Sequence, residues 1–210
     1  LLKGNDMSSN TLSYVTQDVM YAFKIQGKEP GILFNNPAMM AAESDKMSKG
    51  KKTYDPDEEA EMRTYKNDEG NLCVPSTQIR ASILEASKVF KVGRSSAKTI
   101  LNHLIIEPFD LVELKSDKGK PITDYELDQR RVQVQRAGII RTRPLVPEWT
   151  VEFTIIADDE IMNATWGDQA LDSLIKIVSD AGKKQGIGDY RPQKGGNFGR
   201  FEILEAKEVI

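Results

Sequence analysis

The chain carries one cysteine and one histidine among its 210 residues. A lone Cys73 cannot close an internal disulfide, so packing has to hold the fold together and a reducing compartment suits it. Cys73 and His103 fall short of the clustered ligands that zinc or iron needs, and no motif asks for any other metal or cofactor. No apolar run approaches the roughly 20 residues that span a bilayer, and no basic segment followed by an apolar run and a small-residue cleavage site is visible near the start. A cytoplasmic setting with no membrane contact is expected. A large excess of charge is also missing: 29 lysines and arginines stand against 32 aspartates and glutamates, a net charge of −3. That balance argues against indiscriminate attraction to polyanions and leaves open a local patch.

What is present suits a soluble globular protein. Hydrophobic residues make up 39% and charged residues 29%, and the length suits one domain over residues 1–210. Met7 lies inside "LLKGNDMSSN", and the residues before it are assigned no role. Residues 19–35 alternate apolar and polar side chains around Gly27 and Pro30, which predicts a strand, a turn and a second extended piece. From Glu43 to Gly70 the chain is dominated by charge, with a short helix expected near Asp55 or Pro56, and it reads as an exposed, mobile insertion. Pro75 and Ser76 open a helix in which Ile79, Ile83, Ala86 and Phe90 share a face. "LNHLIIEPFDLVEL" reads as strand material broken at Pro108, and "RRVQVQRAGIIRTRP" as an extended run with a bulge at Gly138. Trp149, Val151, Phe153 and Ile155 alternate with polar neighbours along the clearest strand, and Leu171, Leu174, Ile175 and Val178 mark an amphipathic helix ending near Gly182. A final strand, "RFEILEA", closes the pattern. This order predicts an α+β fold, a ferredoxin-like antiparallel sheet with helices on one face and the charged insertion added.

Two segments stand out chemically. Between Gln129 and Pro147 there is no acidic residue, while Arg130, Arg131, Arg136, Arg141 and Arg143 are all present. Guanidinium groups offer a planar fork to phosphate oxygens and can stack on bases, so a hairpin bearing several of them is a candidate nucleic-acid track. The bland reading is that these arginines pair with the acidic insertion or simply solvate a strand. The second segment, "GIGDYRPQKGGNFGRFEI" at 186–203, gathers glycines with Arg191, Lys194 and Arg200. Exposed amides beside those cations would make an anion cradle, with Gly186 and Gly188 letting the backbone approach; the alternative is a structural turn in which Tyr190 and Phe198 fill the core. It is not a phosphate-binding "GxxxxGK[ST]" loop. Lys51 and Lys52, with Lys46 and Lys49, could close over a bound strand or lie in a solvated loop.

Catalysis has little to stand on. His103 sits among Leu101, Leu104, Ile105 and Ile106 and is a weak candidate for a base. Asp45, Asp55 and Asp57 lie in no catalytic motif, and none surrounds Ser76, Ser82 or Ser87.

"LCVPSTQIRASILEASK" resembles the "Y-I-P-G-S-S-L-K-G-A-L-R" stretch of the RAMP superfamily, the RNA-binding subunits of CRISPR effector complexes. Pro75 and Ser76 match, Gln78 falls at or beside the second serine and Arg80 in the region of the lysine, while the glycine after the proline is absent. Gly186, Gly188, Phe198, Gly199 and Arg200 are similar to that family's C-terminal glycines and "G-F-G-R". The layout from about residue 19, with "KKTYDPDEEAEMR", "RTRP" before "PEW" and the ending "GIGDYRP…GRFEI", also looks like proteins encoded in phage and prophage genomes, a resemblance that brings no activity with it. Together these resemblances imply binding of single-stranded RNA or DNA, assembly as a homo-oligomer or filament along the strand, and a bacterial or phage-infected cell. A metal-independent endoribonuclease, and a phage structural or host-interaction protein without nucleic acid, are the competing expectations.

Overall fold

The computed structural model describes residues 17–36, 55–134 and 137–209. In chain order the elements that matter here are β1 (Asp18–Gly27), β2 (Ile32–Leu33), α1 (Pro56–Glu61), β3 (Cys73–Pro75) and α2 (Ser76–Ala86). There follow β4 (Lys91–Val92), β5 (Ser95–Ser96), α3 (Ala97–Leu101), β6 (Ile105–Glu107), β7 (Leu111–Glu113) and β8 (Glu126–Val134). The last are β9 (Ala137–Val146), β10 (Thr150–Asp158), α4 (Asp159–Trp166), α5 (Ala170–Asp180) and β11 (Phe201–Val209).

The main sheet has the order β11-β1-β10-β6, with each neighbouring pair antiparallel. Taking the four sheet strands with the helices α2 and α5, the chain runs β1-α2-β6-β10-α5-β11, so its strands lie in the spatial order fourth, first, third, second. That is the ferredoxin-like split β-α-β arrangement, as the pattern of the sequence predicts. The alternation expected at 149–155 decides which face is buried: Phe23 lies opposite Phe153, Tyr21 opposite Ile155 and Ile25 opposite Val151. The rings of Phe23 and Phe153 stack 5.7 Å apart. These side chains join Ile79 and Ile83 of α2 and Leu174, Ile177 and Val178 of α5 in one core. The other face carries Lys24 and Glu152, paired at 3.0 Å, with Lys115 bridging the same carboxylate at 2.9 Å.

A second layer of structure is built beside the end of β1 where Gly27 meets Trp149. β2, β9 and β8 form a three-stranded sheet, and β3 pairs with β7. The bulge expected at Gly138 is replaced by a reversal of the chain: Val134 lies opposite Ala137, Gln133 opposite Gly138, and the register runs unbroken to Glu126 opposite Leu145. Gly138 is therefore a paired residue, and its missing side chain leaves room for Arg131, whose Nε would lie 2.6 Å from an added Cβ.

The charged segment also departs from its expected character over 55–70. Asp55 caps α1 by accepting from the N–H groups of Asp57 and Glu58. Glu59, Ala60, Arg63 and Thr64 are buried, because α1 packs against β9. Residues 43–54 of that segment, Lys51 and Lys52 included, lie outside the described residues, as does Arg136. No helix among the described residues is long and apolar enough to cross a membrane.

Candidate nucleic-acid interface

The β8–β9 register puts Arg130 opposite Arg141 and Asp128 opposite Arg143, so these four side chains share one face of the ribbon. Arg131 and Ile140 pair on the other face, both exposed. A polar strip in the sequence thus becomes two groups with different surroundings.

Arg141 and Arg143 are neutralised within the protein. Arg141 donates to Glu59 Oε1 at 3.0 Å, Arg63 donates to the same oxygen at 2.9 Å, and the Thr142 N–H donates to Glu59 Oε2 at 2.9 Å. Burial alone would raise the Glu59 carboxyl, yet the Thr142 N–H and the Arg141 and Arg63 guanidinium groups outweigh it and hold the group below its ordinary value. Arg143 pairs with Asp189 at 3.0 Å. The bland reading of the strip, pairing with the acidic segment, describes Arg141, whose partner is a residue of that segment.

Arg130 and Arg131 stand differently. Arg130 shares its Nε–H between the two carboxylate oxygens of Asp128, at 2.8 and 2.9 Å, and lies over the ring of Phe198, 4.8 Å from its centroid. Its side chain remains 47% exposed, so charge is still presented outward. Arg131 makes no ion pair among the described residues. Through Arg130 on Phe198, 68 residues apart along the chain, and through Arg143 on Asp189, 46 apart, the basic hairpin and the glycine-rich loop are brought into direct contact.

The loop itself is knitted into the fold. Ile187 N–H donates to Gly199 O, Asp189 N–H to Leu33 O and Gly199 N–H to Gly31 O, at 2.7–2.9 Å. The N–H groups of Gly186, Lys194, Gly195, Gly196 and Phe198 also bond backbone carbonyls, and that of Gly188 bonds Gln78 Oε1 at 3.0 Å. These amides are spent internally, which removes the backbone part of the expected anion cradle. Two glycines are demanded by close approach: an added Cβ would lie 1.7 Å from Tyr190 O at Gly196 and 1.6 Å from Ile187 O at Gly199. Gly186 and Gly188 hold positive φ, +69° and +76°.

What the loop does present is side chains. Lys194 and Arg200 are exposed and make no ion pair among the described residues. Arg191 is fixed by donating to Gly188 O at 2.9 Å and to Gln193 Oε1 at 2.8 and 3.1 Å. Tyr190, 44% exposed and at φ +48°, tilts toward Phe198 with centroids 6.3 Å apart. Of the two aromatics that would fill the core if the segment were only a structural turn, Phe198 is buried, whereas Tyr190 faces outward.

His103 lies elsewhere, in a cleft with Arg80, Ile105 and Phe109, and its Nδ1 bonds Ile100 O at 2.6 Å. Among the described residues, three or more His, Cys, Asp or Glu side chains nowhere gather in a way that could hold a metal.

No family model matches the chain. No curated protein matches it either. Among solved structures, it is similar to a chain in a cryo-EM structure of the Type III-B Cmr-beta bound to cognate target RNA, with 12% identity and a TM-score of 0.49. The match covers 92% of this chain and 61% of that one, so this chain spans less than two thirds of its neighbour's length.

Proposed function

We propose that the protein binds single-stranded nucleic acid, RNA or DNA, where the β8–β9 ribbon meets the glycine-rich loop. The observation that carries this reading is the contact of Arg130 with Phe198, which sets an exposed cation of the ribbon on the loop that carries Lys194, Arg200 and the exposed ring of Tyr190. On this face Arg130, Lys194 and Arg200 would meet phosphates, Arg191 would offer the N–H groups left over from Gly188 and Gln193, Arg131 would serve only a strand that wraps to the other face of the ribbon, and Tyr190 would offer a stacking platform. Arg141 and Arg143, already paired with Glu59 and Asp189, act as positioning residues that hold the ribbon against α1 and the loop. Membership of the RAMP superfamily, a phage origin, assembly along the strand and closure by Lys51 and Lys52 belong to the same proposal.

The test is fluorescence anisotropy on a labelled single strand as salt is raised. Phosphate contacts release counterions, so three to five of them give a slope of log affinity against log salt of roughly −2 to −3.5. Absence of salt-sensitive binding to any RNA or DNA strand rejects the proposal and favours a protein-contact role. Cleavage of RNA in chelator, abolished by His103→Ala, would favour the endoribonuclease instead.

A further inference from the structure

Between α2 and the glycine-rich loop lies a slot of about 220 Å³. Gln78, Ser82 and Glu85 line it from α2, at the i, i+4, i+7 spacing that shares one helix face; Ala81 and Ile187 supply apolar surface, and Arg191 lines it from the loop. Gln78 is committed, accepting from Gly188 N–H and bonding Tyr65. Ser82 is not. It is 5% exposed, and its Oγ has no hydrogen-bond partner among the described residues. A buried hydroxyl left in that state has lost its water with nothing in return, and calls for an explanation. Lys88 occupies Oε1 of Glu85 at 2.6 Å, leaving the second oxygen without a partner among the described residues.

We propose that this slot is a subsite for a single nucleobase, guanine foremost, turned out of a bound strand. The proposal rests on the strand-binding reading and adds what would be read there. The volume is below the roughly 300–1,000 Å³ of pockets that hold drug-sized ligands, which suits one ring system. Base faces are flat and apolar, matching Ala81 and Ile187, while the edges need polar partners. Guanine carries an adjacent pair of donors, N1–H and N2–H₂, suited to a carboxylate such as Glu85, and an adjacent pair of acceptors, O6 and N7, suited to the two N–H groups that Arg191 keeps beyond its bonds to Gly188 O and Gln193 Oε1. No other common base has both pairs. A rotation of Ser82 about χ1, which breaks no hydrogen bond, would bring its buried hydroxyl to the base.

The experiment uses free guanosine and adenosine as probes, with binding followed by saturation-transfer NMR, so that it does not depend on strand binding. Wild-type protein should bind guanosine saturably and adenosine roughly fivefold or more weakly. Glu85→Gln should weaken guanosine by roughly fivefold or more, and Ser82→Leu, which fills the slot, should abolish binding. If Ser82→Leu fails to fold, Glu85→Gln on the rim decides. Equal binding of the two nucleosides, or unchanged guanosine binding in folded Glu85→Gln protein, overturns the proposal. Guanosine binding without any binding of oligonucleotides leaves the guanine site standing and rejects the strand reading; salt-dependent strand binding with no guanosine binding does the reverse.

Discussion

Replacing Glu59 by Gln removes one negative charge from a site where three donors converge. Glu59 is 6% exposed and Arg63 is 2% exposed, and the pair is bonded at 2.9 Å with Arg141 at 3.0 Å on the same oxygen. Taking one partner from a buried ion pair costs about 3–5 kcal/mol, because the remaining charge keeps its desolvation penalty. The glutamine carbonyl can still accept from the Thr142 N–H, which recovers about 1 kcal/mol. A net loss of about 2–4 kcal/mol follows, a large part of the roughly 5–15 kcal/mol that a domain has. Urea unfolding reads this directly: with a slope of about 2 kcal/mol per molar, the midpoint should fall by about 1–2 M at unchanged slope. The pH dependence gives a second arm. Because the folded Glu59 carboxyl lies below its ordinary 4.5, its contribution is fully present above that value and is lost as pH falls through the lower folded value. The stability gap between wild type and Glu59→Gln should therefore be constant near neutral pH and narrow below about pH 4. A loss under about 1 kcal/mol at pH 7, or a gap that does not narrow in acid, would refute the reasoning that α1 is pinned to β9 by this carboxylate.

Three further outcomes are expected. Arg130→Ala should reduce the steepness of the salt slope for a single strand by roughly 0.7, whereas Arg141→Ala should leave the slope unchanged and lower the urea midpoint; equal effects on the slope would mean that Arg141 also meets phosphate. Gly199→Ala should destabilise the fold by at least about 2 kcal/mol, since a Cβ cannot stand 1.6 Å from Ile187 O, while Lys194→Ala should stay within about 0.5 kcal/mol by thermal melting. Cys73 is 1% exposed and burial pushes its thiol up, so a thiol-reactive disulfide reagent should label it at the rate of unfolding; fast labelling of native protein would contradict that burial.

Local periodicity carried much of this fold, and its physical basis is short-range. Alternation at Val151–Ile155 and the helical spacing of Ile79, Ile83 and Ala86 depend on backbone geometry a few residues long and lie in the elements they predict, while Trp149 stands just before β10 and Phe90, expected on the same helix face, lies beyond the end of α2. Asp55 before Pro56 announces α1 for the same reason, because a cap acts within one turn. The candidate residues of the ribbon and loop were also legible, since cationic and glycine-rich composition needs no partner to be seen. What became of them was not. Whether an arginine is free or neutralised depends on a carboxylate 82 residues away, as with Arg141 and Glu59, and composition holds no record of that distance. The same holds for α1, whose charges suggest solvent although Glu59 and Arg63 are buried by pairing. Gly138 shows the limit within a single strand: local pattern cannot tell a bulge from a chain reversal, because the difference lies in which residue stands opposite. The placement of β1 between β10 and β11, the contact of Arg130 with Phe198, and the slot around Ser82 were decided by tertiary packing, where segments far apart in the chain meet and each side chain acquires the neighbours that set its charge, exposure and free hydrogen-bonding capacity.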